Sequence, residues 1–297
     1  MKRFVQDIFF GVVAFVCLLM AAECFVLPKV NKEYNRKHDY LEAHKNDISI
    51  LLMGNSFFEN SLNPHLLGDS VYDFAVSSRP IYYDCELLKK YIPQMPNLSV
   101  VLFPMGYKMP FWESPHYPEN PNINVHLVHE KYFGVWYDRT PEKYLYWFLT
   151  YHGGIHRDMY YEQQDSLGYT KLQGQLPGWN LMHNVEQSEI DHPDAKEQVA
   201  EYTNYMATIA ELCSQYGVRF IVVTPPCSNP YLANVGPYGV SVLHKIISDA
   251  SKNYPIEYHD YLRDKDFRAD SLYYNASHLN SIGADKFAKR LKKDFEL

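Results

Sequence analysis

Two short polar motifs, one near each end of the chain, contain residue types that can carry out acyl transfer. Ser56 closes a Gly-Asn-Ser motif that directly follows the apolar run 48–53, and His278 stands just before the last segment with helical spacing. A serine hydroxyl is a weak nucleophile unless a base removes its proton during attack, and histidine is the most common base. The two motifs therefore predict Ser56 as a nucleophile and His278 as its general base.

The residue three positions before the histidine is Asn275, where such sites usually have an aspartate that orients the ring. The side-chain oxygen of Asn275 can accept a hydrogen bond from Nδ1–H of His278, which leaves Nε2 free to take a proton. If the amide group donates instead, Nε2 carries the proton, a change that cost about 10⁴-fold in rate in a serine protease. The sequence leaves both orientations open.

Backbone N–H groups close to Ser56 are the expected donors to the oxyanion of a tetrahedral intermediate. A serine that follows a strand and begins a helix supplies its own N–H and the positive end of the helix dipole. Asn55, the pair Ser77-Ser78 and Gly106 also follow predicted strands, so we expect them to contribute to oxyanion or substrate binding. For Asn55 and Asn280 we favour a role in turn and cap geometry over one in catalysis.

The segments between these motifs alternate between strand and helix patterns. The apolar runs that predict strands are 48–53, 71–76, 98–103, 218–224 and 256–260. The segments with helical spacing or helix-start signals are 80–91, 195–216, 240–250 and 281–295. Such alternation implies a three-layer α/β/α sandwich with a mostly parallel five-stranded sheet, in which ligands bind beyond the carboxyl ends of the strands. All the polar motifs are expected to meet at that edge.

The middle of the chain, about 104–193, interrupts the alternation, and only 142–151 has a clear helical pattern there. It holds all four tryptophans and seven of the thirteen histidines, so we interpret it as an insertion over the functional edge. Its aromatic rings either stack on sugar rings or pack the insertion's own small core. The pairs His126/His129 and His152/His156 have spacings that a metal can use, but no carboxylate or cysteine pattern completes them, and no metal or other cofactor is predicted.

Composition and charge exclude other classes of function. The chain has 297 residues, 46% of them hydrophobic, which is enough for one large globular domain or two small ones. The net charge is −7 and no basic run occurs, which argues against binding to nucleic acid or to an anionic membrane surface. Cys85, Cys213 and Cys227 lack CxxC spacing, so they predict either three buried thiols or one disulfide with one free thiol.

The N-terminal segment 1–27 is predicted to be a transmembrane anchor. Its apolar part reaches the roughly 20 residues that a bilayer-spanning helix needs, and Lys2 and Arg3 precede it. The positive-inside tendency then places the chain from about residue 28 outside the cytoplasm. A cleaved signal peptide is the alternative, although the cleavage pattern is poor. The polar segment 28–47 is predicted to be a stalk or a helix leading to a domain at 48–297.

The order and spacing of the motifs resemble the SGNH/GDSL hydrolase superfamily, in its membrane-anchored branch associated with bacterial cell-surface polysaccharides. Residues 54–56 resemble the first conserved block, 73–78 the second, and 275–280 the final Asp-x-x-His block. The resemblance spans 48–103 and 217–295 and does not cover the insertion. The chain departs from the family at Asn275, and also at 103–106, Phe-Pro-Met-Gly, where the family has an asparagine that donates to the oxyanion.

The resemblance implies a flavodoxin-like SGNH fold and an extracytoplasmic, serine-dependent esterase or O-acetyltransferase that acts on a cell-surface or exported polysaccharide. Hydrolysis and transfer pass through the same acyl-enzyme, so the residues do not separate them. A protein of another class remains as the alternative: a catalytically inactive member of the fold that binds carbohydrate or takes part in assembly. The two departures from the family pattern favour that alternative.

Overall fold

The computed structural model describes residues 2–25, 32–112, 129, 132–135, 164–179, 195–233 and 235–297 of the chain. Five strands within these residues form one sheet in which every neighbouring pair is parallel. They are β1 (Ile50–Leu52), β2 (Val71–Asp73), β3 (Val100–Pro104), β4 (Arg219–Thr224) and β5 (Glu257–Asp260). Their spatial order is β2-β1-β3-β4-β5, a doubly wound order. The predicted α/β class and parallel five-stranded sheet are confirmed.

Nine α-helices occur in the same described part of the chain. They are α1 (Lys2–Phe25), α2 (Lys32–His44), α3 (Ser56–Glu59), α4 (Ile81–Tyr91), α5 (Met109–Trp112), α6 (Ala195–Gln215), α7 (Asn229–Ala233), α8 (Pro237–Ala250) and α9 (Ser281–Phe295). Short 3-10 turns are Pro64–Leu66, Ile92–Gln94, Lys265–Phe267 and Asp270–Leu272. The four helices predicted in the sheet domain correspond to α4, α6, α8 and α9. The helix predicted at 142–151 lies outside the described residues.

The strands send alternate side chains into two separate cores, as the period of two along a strand requires. On β1, Leu51 lies in one core, with side chains of α2, α4, α6 and α8. Ile50 and Leu52 lie in the other core, which α9 closes with Phe287. The sheet is therefore covered on both faces, which is the predicted three-layer arrangement.

The apolar helix α1 stands apart from these cores. Its stretch Arg3–Ala21 has a mean hydropathy of 2.3, is not buried by the rest of the described chain, and is long enough to cross a membrane. A signal sequence has the same length and composition, so the structure supports a membrane-spanning or signal helix at this position.

The segment predicted to be a stalk or a helix forms α2, and this helix packs on the sheet domain. Leu41 is fully buried in the core, and the ring of Tyr40 stacks on Tyr72 of β2 with centroids 4.4 Å apart. Lys37 is also fully buried, because its ammonium group is bonded to three carbonyl oxygens of the domain. This packing was not predicted, because the sequence of α2 is mostly polar and only a few of its apolar side chains face the core.

Candidate active site

The turn after β1 requires a glycine. Gly54 has φ +96°, a left-handed value that side chains rarely adopt. A Cβ atom added there would lie 2.5 Å from Cδ of Pro104, at the end of the neighbouring strand β3. The N–H of Gly54 donates to Oδ1 of Asp84 over 3.0 Å, and its carbonyl accepts from the N–H of Val76. This close approach of β1, β2 and β3 fixes the direction in which the chain leaves the sheet.

Ser56 is the first residue of the one-turn helix α3. The buried Asn55 caps this helix, because its Oδ1 accepts from the N–H of Phe57 over 3.1 Å. The expectation that Asn55 serves turn and cap geometry is therefore confirmed. Its predicted contribution to oxyanion or substrate binding stays a prediction. The cap orients α3 so that its N-terminal end, with the Ser56 N–H, lies at the carboxyl edge of the sheet.

His278 reaches Ser56 although the two are 222 positions apart: Nε2 lies 2.8 Å from Oγ. The loop that carries the histidine is held on both sides. The N–H of Leu279 donates to Oγ of Ser61 over 3.0 Å, and Asn280 caps α9 by accepting from two backbone N–H groups. The ring of Phe57 stacks on the imidazole, with centroids 5.6 Å apart. The structure thus brings the two predicted residues into direct hydrogen-bond contact.

The orientation of the Asn275 amide follows from backbone geometry. Its Oδ1 accepts from the N–H of His278 over 2.9 Å and from the N–H of Ser277 over 3.1 Å. Backbone N–H groups only donate, so the atom at this position is the oxygen. The same atom lies 3.0 Å from Nδ1 of His278, and this contact favours the tautomer that carries the proton on Nδ1. Nε2 is then unprotonated and can accept from the Ser56 hydroxyl.

The environment keeps His278 uncharged at neutral pH. Burial lowers the pKa of His278 to about 4, and the negative charge of Glu59 opposes this effect. The groups in hydrogen-bond contact with the ring are all neutral in the described part of the chain: Ser56, Asn275 and Ser277. The ring can therefore act as a base, but no carboxylate among the described residues is in hydrogen-bond contact to stabilise the imidazolium that would form.

The predicted backbone donors differ in their availability. The N–H of Ser77 donates to Oε2 of Glu59 over 2.7 Å and is therefore already occupied. Ser78 has φ +61°, and its N–H makes no hydrogen bond with the residues that the structure describes. Gly106 lies against the ring of Phe57, where an added Cβ would be 2.8 Å from the ring, and its N–H faces the Met109 sulfur. The N–H groups of Ser78 and of Ser56 itself are thus the more available candidates for oxyanion donors.

Buried charged residues behind these loops were not predicted from the sequence. Arg79 is fully buried, lies over the ring of Phe74 and donates to Asp84, whose pKa burial raises to about 6. Nε of Arg79 also donates to Nε2 of His129 over 2.8 Å, so that nitrogen does not face a metal ion. His126, His152 and His156 lie outside the described residues, and the described ones contain no cluster of three or more metal-binding side chains.

The cysteines outside α1 follow the simpler of the two predictions. Cys85, Cys213 and Cys227 are buried free thiols. Burial raises the pKa of Cys85 and of Cys213 to about 12, so neither is reactive at neutral pH. Cys227 follows β4 near the site, and burial likewise raises its pKa above the ordinary range.

No protein-family model matches the chain, and a search of curated proteins finds no relative of it. A functional proposal therefore depends on the geometry of the site.

Proposed function

We propose that this protein is a membrane-anchored, extracytoplasmic acyl-ester hydrolase or O-acetyltransferase of the SGNH type. The observation that carries the proposal is the contact of 2.8 Å between Ser56 Oγ and His278 Nε2, with the ring held in the base-competent tautomer by the Asn275 oxygen. Such a nucleophile and base, with a third group that orients the base, is the arrangement of serine acyl-transfer enzymes.

In the proposed reaction, Ser56 Oγ attacks the carbonyl carbon of an acyl ester while its proton passes to His278 Nε2. The oxyanion forms beside the N-terminal end of α3, where the N–H of Ser56 and the positive end of the helix stabilise it. The N–H of Ser78 is the second candidate donor. His278 then returns the proton to the leaving oxygen. Water or a sugar hydroxyl resolves the acyl-enzyme, which gives hydrolysis or transfer.

The position of α2 supports a substrate at the membrane surface. Lys37 of α2 reaches the carbonyls of Asp73 and Ala75 at the carboxyl end of β2, while His44 at the other end of α2 lies beside the start of β1. The helix therefore begins at the same edge of the sheet as Ser56. The six residues 26–31 between α1 and α2 span at most about 25 Å. A cell-surface or exported polysaccharide, presented as an acylated glycan close to the bilayer, suits this attachment.

A catalytically inactive carbohydrate-binding or assembly protein is the second candidate. The observation that favours it is the neutral Asn275 beside a histidine whose pKa lies near 4. The chain also has Gly106, against the Phe57 ring, in the segment where the resemblance implies an asparagine donor.

Labelling with a serine-directed fluorophosphonate tests the proposal on the full-length protein in detergent. We expect labelling of the wild type and of the control Ser248→Ala, which changes an exposed serine on α8, and loss of labelling in Ser56→Ala and His278→Ala. Incubation with an acetylated oligosaccharide then separates release of acetate from transfer to a second glycan. Absence of both Ser56-dependent labelling and acetyl-ester turnover would reject the enzyme and leave the binding protein.

A further inference from the structure

A buried carboxylate lies on the same one-turn helix as the proposed nucleophile. Glu59 is the last residue of α3, three positions after Ser56, and is fully buried. Residues three apart lie on the same face of a helix, so the side chains of Ser56 and Glu59 are neighbours on one face of this single turn. Oε2 of Glu59 accepts from the N–H of Ser77 over 2.7 Å and from the Ser77 hydroxyl. Glu59 thus touches the second loop of the site.

Among the described residues, Lys37 forms an ion pair with Glu59 but no direct hydrogen bond. Lys37 Nζ lies 3.8 Å from Oε1 of Glu59, and both side chains are fully buried. An ammonium group has three donors, and Lys37 gives all three to the carbonyls of Asp73, Ala75 and Gly168 at 3.0, 2.6 and 2.9 Å. Oε1 consequently receives no hydrogen bond within the described chain. Lys37 and Glu59 thus form an ion pair without a direct hydrogen bond, and the Glu59 charge still acts on His278, whose pKa it raises against the effect of burial.

The histidine of the site lacks a charge in the position where serine triads have one. Its Nδ1 faces the neutral oxygen of Asn275 and the hydroxyl of Ser277, and its Nε2 faces Ser56. Within the described residues, the charged and titratable groups that interact with Glu59 come from separate elements: Lys37 of α2, Asp73 of β2 and His278 of the loop before α9. Burial raises the pKa of Asp73 to about 7, so Asp73 is partly neutral under ordinary conditions.

We propose that Glu59 is a positioning residue that acts through His278 and supplies the negative charge that the neutral Asn275 does not. The inference rests on the proposed function, since it assigns Glu59 a part in acylation. As the bond between Ser56 Oγ and the acyl carbon forms, the Oγ proton moves to Nε2 and the ring becomes a cation. The field of Glu59 stabilises this cation until the proton passes to the leaving oxygen. Glu59 itself neither gains nor loses a proton.

A purely structural role would be to hold the turn at Ser77 and Ser78, and the titration of His278 distinguishes the two roles. The titration is followed by NMR on the full-length protein in detergent with ring-labelled histidine. The His278 signal is identified by its disappearance in His278→Gln. The variants are built on Asn275→Asp, because a carboxylate in contact moves the titration of His278 to a convenient pH.

On that background we expect Glu59→Gln to lower the midpoint of the His278 titration by about one pH unit. Asp73→Asn is the matched control, because it removes the other carboxyl next to Lys37 and should leave the midpoint unchanged. If Glu59→Gln does not fold because Lys37 is left unpaired, the double variant Lys37→Met/Glu59→Gln removes both charges and keeps an acceptor for Ser77.

An equal midpoint with and without the Glu59 charge would overturn the inference and leave Glu59 as a support of the turn. That result is distinct from failure of the proposed function. A wild-type protein that is not labelled at Ser56 by fluorophosphonate rejects the enzyme, and with it the catalytic part of this inference, whatever the His278 titration shows.

Discussion

Replacing Asn275 by aspartate should increase the rate of acylation of Ser56, because the change adds a negative charge without changing the geometry. The oxygen that accepts from the backbone N–H groups of Ser277 and His278 is retained in an aspartate. The Nδ2 group that is lost donates no hydrogen bond to any residue that the structure describes. The tautomer of His278 is already the productive one, so the gain comes only from stabilisation of the imidazolium.

The structure gives the size of the expected stabilisation of the His278 imidazolium. The Asn275 oxygen lies 3.0 Å from Nδ1 of His278. Two unit charges about 4 Å apart interact by roughly 4 kcal/mol at an effective dielectric constant of about 20, which corresponds to about 3 pKa units. Shifts caused by an adjacent opposite charge are about 1 to 3 units, so the His278 pKa should rise from about 4 to between about 5 and 7. If half of this stabilisation is realised in the transition state, acylation accelerates roughly 3- to 30-fold.

The assay is the rate of fluorophosphonate labelling of Ser56 between pH 4 and pH 9. We expect the plateau of Asn275→Asp to exceed that of the wild type and its acidic limb to lie at higher pH. Asn275→Ala is the control, because it removes the acceptor for Nδ1–H and should label more slowly than either. A folded Asn275→Asp that labels no faster than the wild type would refute the reasoning that charge is what the site lacks.

Three further changes test the energetics of the fold. Asp73→Asn should stabilise the protein at pH 8. Burial raises the pKa of Asp73 to about 7, so the free energy of unfolding of the wild type falls as pH rises from about 4 through 7. In chemical denaturation at pH 8 and at pH 5, the stabilisation by Asp73→Asn should be roughly 2–3 kcal/mol smaller at pH 5. The free energy of unfolding of the wild type should fall by up to about 3 kcal/mol as pH falls from about 6.5 to 4, because the His278 pKa is lowered in the folded state. His278→Gln should remove this pH dependence. Gly54→Ala should lower the free energy of unfolding by about 2–4 kcal/mol and abolish labelling, because its Cβ would meet Pro104 at 2.5 Å. The control Gly174→Ala is also at positive φ, but its Cβ would meet no described atom within 4 Å, so it should lower the free energy of unfolding by about 1–2 kcal/mol and label normally.

The sheet and the meeting of Ser56 with His278 could be predicted because they follow from a single topological rule. Short apolar runs separated by helical segments require parallel strands, and parallel strands place all their carboxyl ends at one edge. The contact between Ser56 and His278, which are 222 positions apart, therefore follows from the topology of the sheet without any local sequence signal. Strand bounds were less accurate, since a run such as 48–53 is apolar on both faces of the sheet and does not mark where the ladder ends.

The buried charges could not be predicted, because nothing in their neighbourhood along the chain distinguishes them. Lys37 lies in a polar helix among exposed charged residues, and its partners are carbonyls and a carboxylate brought from β2, α3 and residue 168. Glu59 offered one signal, its spacing of three from Ser56, which places it on the same face of a helix. A spacing of this kind has meaning only when the helix is known to begin at the serine.

The orientation of Asn275, by contrast, was encoded locally. An asparagine side chain commonly accepts from backbone N–H groups two or three residues later, and in Asn275-Ala276-Ser277-His278 those groups include that of the histidine itself. A carboxylate at this position would accept from the same groups, so orienting the ring does not require a charge. In a serine triad one aspartate both orients the histidine and stabilises its cation. Here Asn275 orients the ring without a charge, so stabilisation of the cation requires a carboxylate elsewhere. The proposed source of that stabilisation is Glu59, which is buried three residues after Ser56.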